Sequence, residues 1–311
     1  MDPPSAEELD IAIAVFVYKR PQHTATMLAS LVGASDETPL PLYVFADGPK
    51  TAADIGPVKE TRRLVEDLPW AAKKDIRFAD TNRGLANSVI AGVSEVLRNH
   101  TAAIVVEDDL VLSQFALGYF VQALRRYRHA AAVGSISGFA HPPSRLRIPR
   151  YYPYDTYFLR RNSSWGWATW RDRWGCVDWS IARWERLRRD PFAVGLMRSV
   201  SDDLPRMLDD QLNGRIDSWA VLFTLHHFLR GLFSLTPVHS YVDNIGADGT
   251  GTHSGVTNRY RNDLRTAVAK PRFPPVVFED ATIARRFADL YKRPGLVRRG
   301  FSFVKRRLSG R

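Results

Sequence analysis

Three consecutive carboxylates follow a short apolar run and are the residues of this chain best suited to chemistry. Glu107, Asp108 and Asp109 come directly after the run at residues 104–106. Such a run is typical of a buried parallel strand, and open α/β sheets bind ligands at the carboxyl ends of such strands. Adjacent carboxylates raise one another's pKa values unless a divalent cation with a diphosphate ligand neutralises them. The alternative is an acidic surface turn that caps the next helix.

The sequence around this motif alternates between strand-like and helix-like patterns. Apolar runs predict further strands at residues 11–17, 42–46, 75–79 and 132–136. Helical spacing of apolar residues predicts helices at residues 23–32, 57–68, 84–98, 113–128 and 218–230. This alternation predicts an α/β fold with a doubly wound, mostly parallel sheet and right-handed crossovers. Ligands should bind where the strands end.

Each of the first three predicted strands also ends in polar residues. Residues 18–21 follow the first strand, Asp47 and Gly48 follow the second, and residues 82–84 follow the third. A nucleotide diphosphate site needs an acceptor for the base, a loop for ribose and phosphate, and acids for a bridging metal. Together with the three carboxylates, these segments could supply all of those parts.

In this order the segments resemble the nucleotide-sugar half of GT-A glycosyltransferases, in particular family-2-like bacterial enzymes and the N-acetylglucosaminyltransferase I type. The resemblance covers about residues 11–255, and its most specific part is Val106 to Leu110, which is similar to the metal-binding Asp-X-Asp motif. It implies a Mn²⁺ or Mg²⁺ cofactor, with Asp109 as direct ligand and with Glu107 and Asp108 near the ribose and the diphosphate.

The same resemblance implies further positions of the donor site. Asp47 would accept a hydrogen bond from a uracil ring, and Asn82, Arg83, Gly84 and Asn87 would line the nucleotide pocket. Related enzymes use a late histidine as a metal or phosphate ligand, which here corresponds to His253. Neutral imidazole suits a Mn²⁺ site. The alternative for His253 is an ordinary surface residue in a loop predicted at residues 241–255.

The second half of the chain offers residues for the acceptor. Six of the eight tryptophans fall between Trp165 and Trp184, and Trp165, Gly166 and Trp167 combine indoles with a small residue that lets a ligand approach. Pyranose C–H faces stack on indoles, and the resemblance includes a Gly-Trp-Ala-like segment near the donor sugar and acceptor. Packing in the core is the alternative.

Transfer by direct displacement needs a base for the acceptor hydroxyl. Asp217 is the candidate, because it opens a predicted helix beside Trp219 and because related transferases have a similar Asp-Ser-Trp segment. An N-cap aspartate is the alternative for this residue.

Composition limits the classes of protein. With 311 residues, 45% of them hydrophobic, the chain can bury a large core, and the single Cys176 excludes an intramolecular disulfide framework. The polar, acidic start and the lack of a long apolar run predict neither a signal peptide nor a membrane span. The formal charge of +11 comes mostly from a tail at residues 291–311, where eight basic residues alternate with apolar ones. This tail predicts contact with an anionic bilayer, and a disordered solubilising tail is the alternative.

We therefore expect a metal-dependent, inverting glycosyltransferase that uses a UDP-sugar, with UDP-N-acetylglucosamine as first choice by resemblance, and a glycan or lipid-linked acceptor. The predicted parts are a nucleotide-sugar half (1–140), an acceptor-binding and catalytic half (141–280) and a basic tail (281–311), on the cytoplasmic face of a membrane. The alternatives are a sugar nucleotidyltransferase, disfavoured because residues 18–22 contain no glycine, and a nucleic-acid-binding protein, which would not explain the acidic motif. We expect no nucleic-acid partner. P-loop and Gly-x-Gly-x-x-Gly motifs are absent, which argues against kinases and dinucleotide enzymes.

Overall fold

The computed structural model of the chain describes residues 9–35, 39–248 and 257–292. The strands in these ranges are β1 (Ile11–Val17), β2 (Leu42–Ala46), β3 (Lys74–Phe78), β4 (Ala102–Glu107), β5 (Leu110–Leu112), β6 (Val133–Ser137), β7 (Thr156–Leu159), β8 (Trp167–Trp170), β9 (Phe233–Pro237) and β10 (Val242–Asn244). The α-helices are α1 (Pro21–Ser35), α2 (Ile55–Glu66), α3 (Leu85–Asn99), α4 (Ala116–Tyr127), α5 (Arg171–Trp174), α6 (Ala182–Leu187), α7 (Pro191–Val200), α8 (Leu204–Leu212), α9 (Trp219–Arg230) and α10 (Ala281–Asp289).

Eight of the described strands form one sheet in the order β3-β2-β1-β4-β8-β6-β9-β7. The pairs β3–β2, β2–β1 and β1–β4 are parallel, and so is β6–β9. Strand β8 is antiparallel to both β4 and β6, and β7 is antiparallel to β9. As a result, β3, β2, β1 and β4 all end at the same edge of the sheet.

Helices cover both faces of this sheet. Ile13 and Val15 of β1 pack in one hydrophobic layer with α1 and α4, whereas Ala14 and Phe16 pack in another with α3 and α9. All seven residues of β1 are buried, which explains its continuous apolar run, because a strand covered on both faces has no polar side. The predicted α/β class with a doubly wound, mostly parallel sheet is confirmed.

Two features differ from the prediction. The segment predicted as a loop from residue 241 begins with β10, which pairs antiparallel with β5 and sets Asn244 opposite Leu110. Residues 167–170 form the interior strand β8 of the large sheet. Both strands are too short to give a clear periodic pattern, and their partners are distant in the sequence. Among the described helices, none has the length and apolar composition needed to cross a bilayer.

Candidate active site

Four parallel strands end side by side at one edge of the sheet. In the spatial order β3-β2-β1-β4, they lead into the segments 79–84, 47–48, 18–20 and 108–109. The polar segments identified in the sequence are therefore neighbours in the fold, as expected for parallel strands that share one edge.

The carboxylate motif begins at the last residue of β4. Glu107 lies opposite Phe16 of β1, and the Asp108 carboxylate accepts a hydrogen bond of 3.2 Å from the Tyr18 backbone N–H. Burial raises the pKa of Glu107, and the charges of Asp109 and Asp108 raise it further. Burial, followed by repulsion from Asp109, raises the pKa of Asp108 to about 7. The crowded negative charge favours a bound cation.

Arg20 places a guanidinium beside this motif. Its Nη1 lies 3.1 Å from Asp109 Oδ2 and 3.9 Å from Asp108 Oδ1. The three side chains are only 14% to 20% exposed, so solvent and salt screen these contacts less than those of a surface pair. Sequence reasoning assigned Arg20 no role. Its position in the polar segment that follows β1 was the only indication that it could belong to the site.

The small sheet of β5 and β10 brings a distant loop to the same carboxylate. Asn244 Nδ2 donates to Asp109 Oδ1 at 3.4 Å, and the Ile245 backbone N–H donates to the Asp109 carbonyl at 2.9 Å. Gly246 lies so close that a Cβ there would stand 2.1 Å from Asp109 Oδ2. The Gly246 carbonyl also accepts from Arg20 Nη2 at 3.3 Å. Sequence reasoning missed Asn244 and Gly246, although both lie in the Gly-rich loop that it identified.

His253, the predicted second metal ligand, lies outside the described residues. The described part of the loop ends at Asp248, whose Oδ1 is 3.6 Å from Arg20 Nη2 and whose Oδ2 is 3.1 Å from His23 Nε2. A third aspartate therefore joins Asp108 and Asp109 around the same guanidinium.

Asp47 ties the ends of β2 and β3 together. One of its oxygens accepts from the backbone N–H groups of Gly48 and Arg83, and the other accepts from Asn82 Nδ2, each at 2.9 Å. A side chain at Gly48 is excluded, because its Cβ would lie 2.5 Å from a backbone carbon of Thr81. These contacts fix the shape of the loop. The contact of Asp47 with a nucleotide base stays a prediction.

Gly84 and Asp217 meet at the start of α3. Gly84 has a φ of 78°, and a Cβ on it would stand 3.4 Å from Asp217 Oδ2. Asp217 is exposed, and Ser218 is the N-cap residue of α9, so the alternative that Asp217 caps this helix is wrong. One turn along α3, Asn87 donates from its side chain to the Arg83 carbonyl at 3.1 Å. The fold thus brings the predicted base to the predicted nucleotide loop.

The two candidate tryptophans have different surroundings. Trp167 is 1% exposed and stacks on Trp174 and Trp219, which leaves no ring face for a sugar and corrects its predicted stacking role. Trp165 is partly exposed and meets Tyr260 edge to face, with ring centroids 5.3 Å apart. Gly166 between them has a φ of 63°, and a Cβ there would lie 2.8 Å from Val242. Trp165 remains the candidate for contact with an acceptor.

The carboxylates fit a divalent cation that a ligand also helps to hold. Within residues 9–35, 39–248 and 257–292, no group of three or more His, Cys, Asp or Glu side chains is arranged to hold a metal ion. Asp108 and Asp109 nevertheless converge on one cationic group, the Arg20 guanidinium. Mg²⁺ in nucleotide enzymes is commonly bound through one or two carboxylates plus substrate phosphates. The residues present match that pattern.

No protein-family model and no curated protein sequence matches this chain. Several solved structures have a similar chain trace. The mannosyltransferase PcManGT from Pyrobaculum calidifontis, in complex with GDP-Man and Mn²⁺, has a TM-score of 0.40 at 12% identity, with 72% of this chain and 70% of that chain covered. TarS from S. aureus has a TM-score of 0.43 at 12% identity, with 77% and 37% covered.

A synthase has a comparable trace. The 4-diphosphocytidyl-2C-methyl-D-erythritol synthase from Anaerococcus prevotii has a TM-score of 0.37 at 10% identity, with 73% of this chain and 88% of that chain covered. Similarity at this level concerns the chain trace, and it carries no activity over to this chain.

Proposed function

We propose that this chain is a metal-dependent, inverting glycosyltransferase that transfers a sugar from a UDP-sugar to a glycan or lipid-linked acceptor. The observation that carries the proposal is that two kinds of carboxylate lie at the segments that follow β3 and β4, at one edge of the sheet. Asp108 and Asp109 are crowded and sheltered beside Arg20, whereas Asp217 is exposed beside Gly84. Displacement of a diphosphate requires both a cation site and a separate, water-accessible base.

The sheltered carboxylates serve the leaving group. Asp109 and Asp108 would hold Mn²⁺ or Mg²⁺, which when bound neutralises negative charge on a departing diphosphate. Arg20 lies within hydrogen-bond distance of Asp109 and can donate to phosphate oxygens in the same place, since its planar fork suits such oxygens. The loop held by Asp47 lies beside this position and forms the nucleotide side of the site.

The exposed carboxylate serves the acceptor. Asp217 takes the proton of the acceptor hydroxyl. At the same time the oxygen of that hydroxyl bonds to the anomeric carbon, and the bond from that carbon to the diphosphate breaks. Attack from the face opposite the leaving group inverts the anomeric centre. Trp165 offers a partly exposed indole for the acceptor.

Ligand-dependent stability tests the donor side directly. UDP-, GDP- and dTDP-sugars are screened by thermal unfolding with Mn²⁺ or with EDTA. A UDP-sugar at 100 times its dissociation constant should stabilise the fold by about 2.7 kcal/mol, and only with the ion present. Asp109→Ala should remove this effect, whereas Asp67→Ala, at the exposed end of α2, should retain it.

Two results would contradict the proposal. One is equal stabilisation of the wild type in EDTA and in Mn²⁺. The other is release of pyrophosphate from UTP and a sugar 1-phosphate without any glycosyl transfer, which would identify a sugar nucleotidyltransferase. UDP-N-acetylglucosamine is the first donor to test, because the Glu107-Asp108-Asp109 motif resembles that of enzymes that use it.

We also propose that the chain works at the cytoplasmic surface of a membrane. This rests on the basic and apolar composition of its end, where residues 293–311 lie outside the described part of the structure. The described start of that region, α10, packs into the protein through Ile283 and Phe287. A surface-bound enzyme would meet a lipid-linked acceptor while a nucleotide sugar diffuses in from solution.

A further inference from the structure

Helix α7 presents two large apolar side chains to solvent. Phe192 is 74% exposed and Leu196 is 47% exposed. They are four residues apart, so they lie on the same face of the helix. Met197 is fully buried and anchors α7, and the Asp190 side chain caps its start by accepting from two backbone N–H groups. The apolar face therefore belongs to a well-anchored helix.

The sequence around this face is basic. Residues 183–198 contain five arginines but only two acids, Glu185 and Asp190. Among the arginines of residues 183–198, the exposed ones that form no salt bridge within the described part of the chain are Arg186, Arg189 and Arg198. An apolar helix face with exposed arginines close to it in the sequence is complementary to a bilayer with anionic headgroups.

The same surface is where the described chain ends. Helix α10 packs on α7, and a cavity of about 310 Å³ between them is lined by Leu196, Val200 and Phe287, among others. The last described residue, Lys292, comes little more than one turn after Phe287. Beyond it, residues 293–311 contain seven basic residues and no acid. The helix that precedes this basic segment in the sequence therefore packs beside α7.

We propose that the α7 face, Phe192 and Leu196 with the arginines close to them in the sequence, docks on an anionic lipid bilayer beside the start of the basic tail. Two side chains are too few for a stable dimer, which usually buries about 800 Å² on each partner. They are enough for shallow insertion, because each apolar side chain that leaves water adds to the attraction of arginines for anionic lipid.

An aromatic chain connects this surface with the candidate acceptor residue. Trp165 contacts Tyr260, Tyr260 contacts His141, and His141 contacts Tyr291, with ring centroids 5.3, 5.9 and 6.0 Å apart. His141 Nε2 and the Tyr291 hydroxyl are also within 3.1 Å. Docking at α7 would therefore hold the acceptor side of the site near the bilayer. This last consequence rests on the proposed function, whereas docking itself does not.

Sedimentation with vesicles tests the proposal. The full chain is mixed with vesicles of phosphatidylglycerol and phosphatidylethanolamine, or of phosphatidylcholine alone, at moderate salt. Phe192→Ser with Leu196→Ser should lower partition onto the anionic vesicles about tenfold or more. Ile55→Ser, at the 56% exposed first residue of α2, is the matched control and should bind like the wild type. A chain without residues 294–311 should keep residual binding that the double substitution removes.

A probe at position 192 reports contact independently of the tail. The sequence has a single cysteine, the exposed Cys176, so Cys176→Ser with Phe192→Cys gives one labelling position. A polarity-sensitive fluorophore there should shift to the blue on anionic vesicles. If the protein sediments with the vesicles but the fluorophore emission does not shift, the proposal is wrong. Equal binding of the wild type and of Phe192→Ser with Leu196→Ser to anionic vesicles would also overturn it.

The oligomeric state tests the remaining alternative, which is that a second copy of the chain covers the α7 face. If the wild type were a dimer that Phe192→Ser with Leu196→Ser converts to a monomer, without loss of vesicle binding, the face would be an interface between copies and the proposal would be wrong. Thermal stabilisation by a UDP-sugar with Mn²⁺ should be the same in the wild type and the double variant. Failure of that stabilisation in the wild type would count against the proposed function only.

Discussion

At the scale of single residues, one guanidinium is shared by several acids. Arg20 forms ion pairs with Asp108, Asp109 and Asp248, and the pKa of Asp108 is still raised to about 7. Burial is the main cause of this raised pKa and repulsion from Asp109 adds to it, so Arg20 alone does not offset the cost of holding these carboxylates ionised. When a diphosphate binds, Arg20 would exchange a carboxylate partner for a phosphate oxygen.

Replacing Arg20 should have opposite effects on two affinities. In Arg20→Met, Mn²⁺ without nucleotide should bind about tenfold more tightly, because a competing positive charge is gone. UDP with saturating Mn²⁺ should bind about tenfold more weakly, because a phosphate donor is gone. Isothermal titration measures both affinities, with Arg63→Met, at an 82% exposed arginine of α2, as control. A change of the same sign in both would refute the dual role of Arg20.

Asp217 should affect turnover but not donor binding. Asp217→Asn keeps the shape of the side chain but cannot take a proton, so turnover should fall by roughly 10² or more while the UDP-sugar still raises the melting temperature. Single-turnover rates measure the first effect and thermal unfolding the second. Normal turnover would place the base elsewhere, and retention of anomeric configuration in the product, seen by NMR, would reject single displacement.

At the scale of elements, the pairing of β5 with β10 decides what lies around Asp109. The three paired residues of β10 bring residues 244–248 to the carboxylate motif, although more than 130 positions separate the two in the chain. The hydrogen bond from Asn244 then holds the Asp109 carboxylate, and the one from Ile245 holds the Asp109 backbone carbonyl. A small ribbon outside the main sheet thus sets the position of the predicted metal ligand.

A single methyl group at Gly246 should disturb this arrangement. In Gly246→Ala the new Cβ would stand 2.1 Å from Asp109 Oδ2, so the carboxylate must turn away. Mn²⁺ affinity should fall about tenfold or more, and the unfolding free energy should fall by about 1–3 kcal/mol, since Asp109 Cγ and Cβ would also stand 2.8 and 2.9 Å from the new Cβ and the whole side chain must shift. The control Gly33→Ala, in α1 with nothing within 4 Å, should leave Mn²⁺ affinity unchanged. Equal affinity in both variants would contradict the packing argument.

At the scale of the whole molecule, one sheet joins strands from both halves of the sequence, and helix α9 packs a buried histidine against it. His227 packs against Gly134 and contacts Ser135 Oγ at 3.1 Å and the Phe223 carbonyl at 2.9 Å. Burial lowers the pKa of His227 to about 4, from a usual 6.5. The folded protein therefore keeps this imidazole neutral at pH values where the unfolded chain protonates it.

This difference predicts the direction of a pH dependence. Between pH 6.5 and about 4 the unfolded state binds the extra proton at His227, so stability is full above pH 6.5 and falls as the pH is lowered. His227→Gln should be less stable at pH 7.5 but should lose about 1–2 kcal/mol less than the wild type between pH 6.5 and 5. Urea unfolding at pH 7.5, 6.5 and 5 measures these differences, with exposed His129→Gln as control. Parallel pH profiles for the wild type and His227→Gln would exclude this residue as the cause.

The sequence by itself determined the local elements and the edge at which they end. Residues 11–17 and 42–46 are predicted with the bounds they have in the structure, because a strand buried on both faces is a continuous apolar run and turn residues follow it directly. The position of Glu107-Asp108-Asp109 at the end of β4 follows from the same reasoning. These features depend on neighbours within a few residues, and the sequence contains that information.

Only the tertiary structure decided which distant residues meet. Strand β8 enters the sheet against β4, which buries Trp167, and β10 joins β5, which brings Asn244 and Gly246 to Asp109. The approach of Asp217 to Gly84 is of the same kind. Such contacts come from loop closure and from packing of the whole sheet, and short strands such as β5 and β10 have no periodicity that would identify their partners. Local motifs therefore predict which residue types form the candidate site, whereas the geometry of the site is set by pairings between residues that are far apart in the chain.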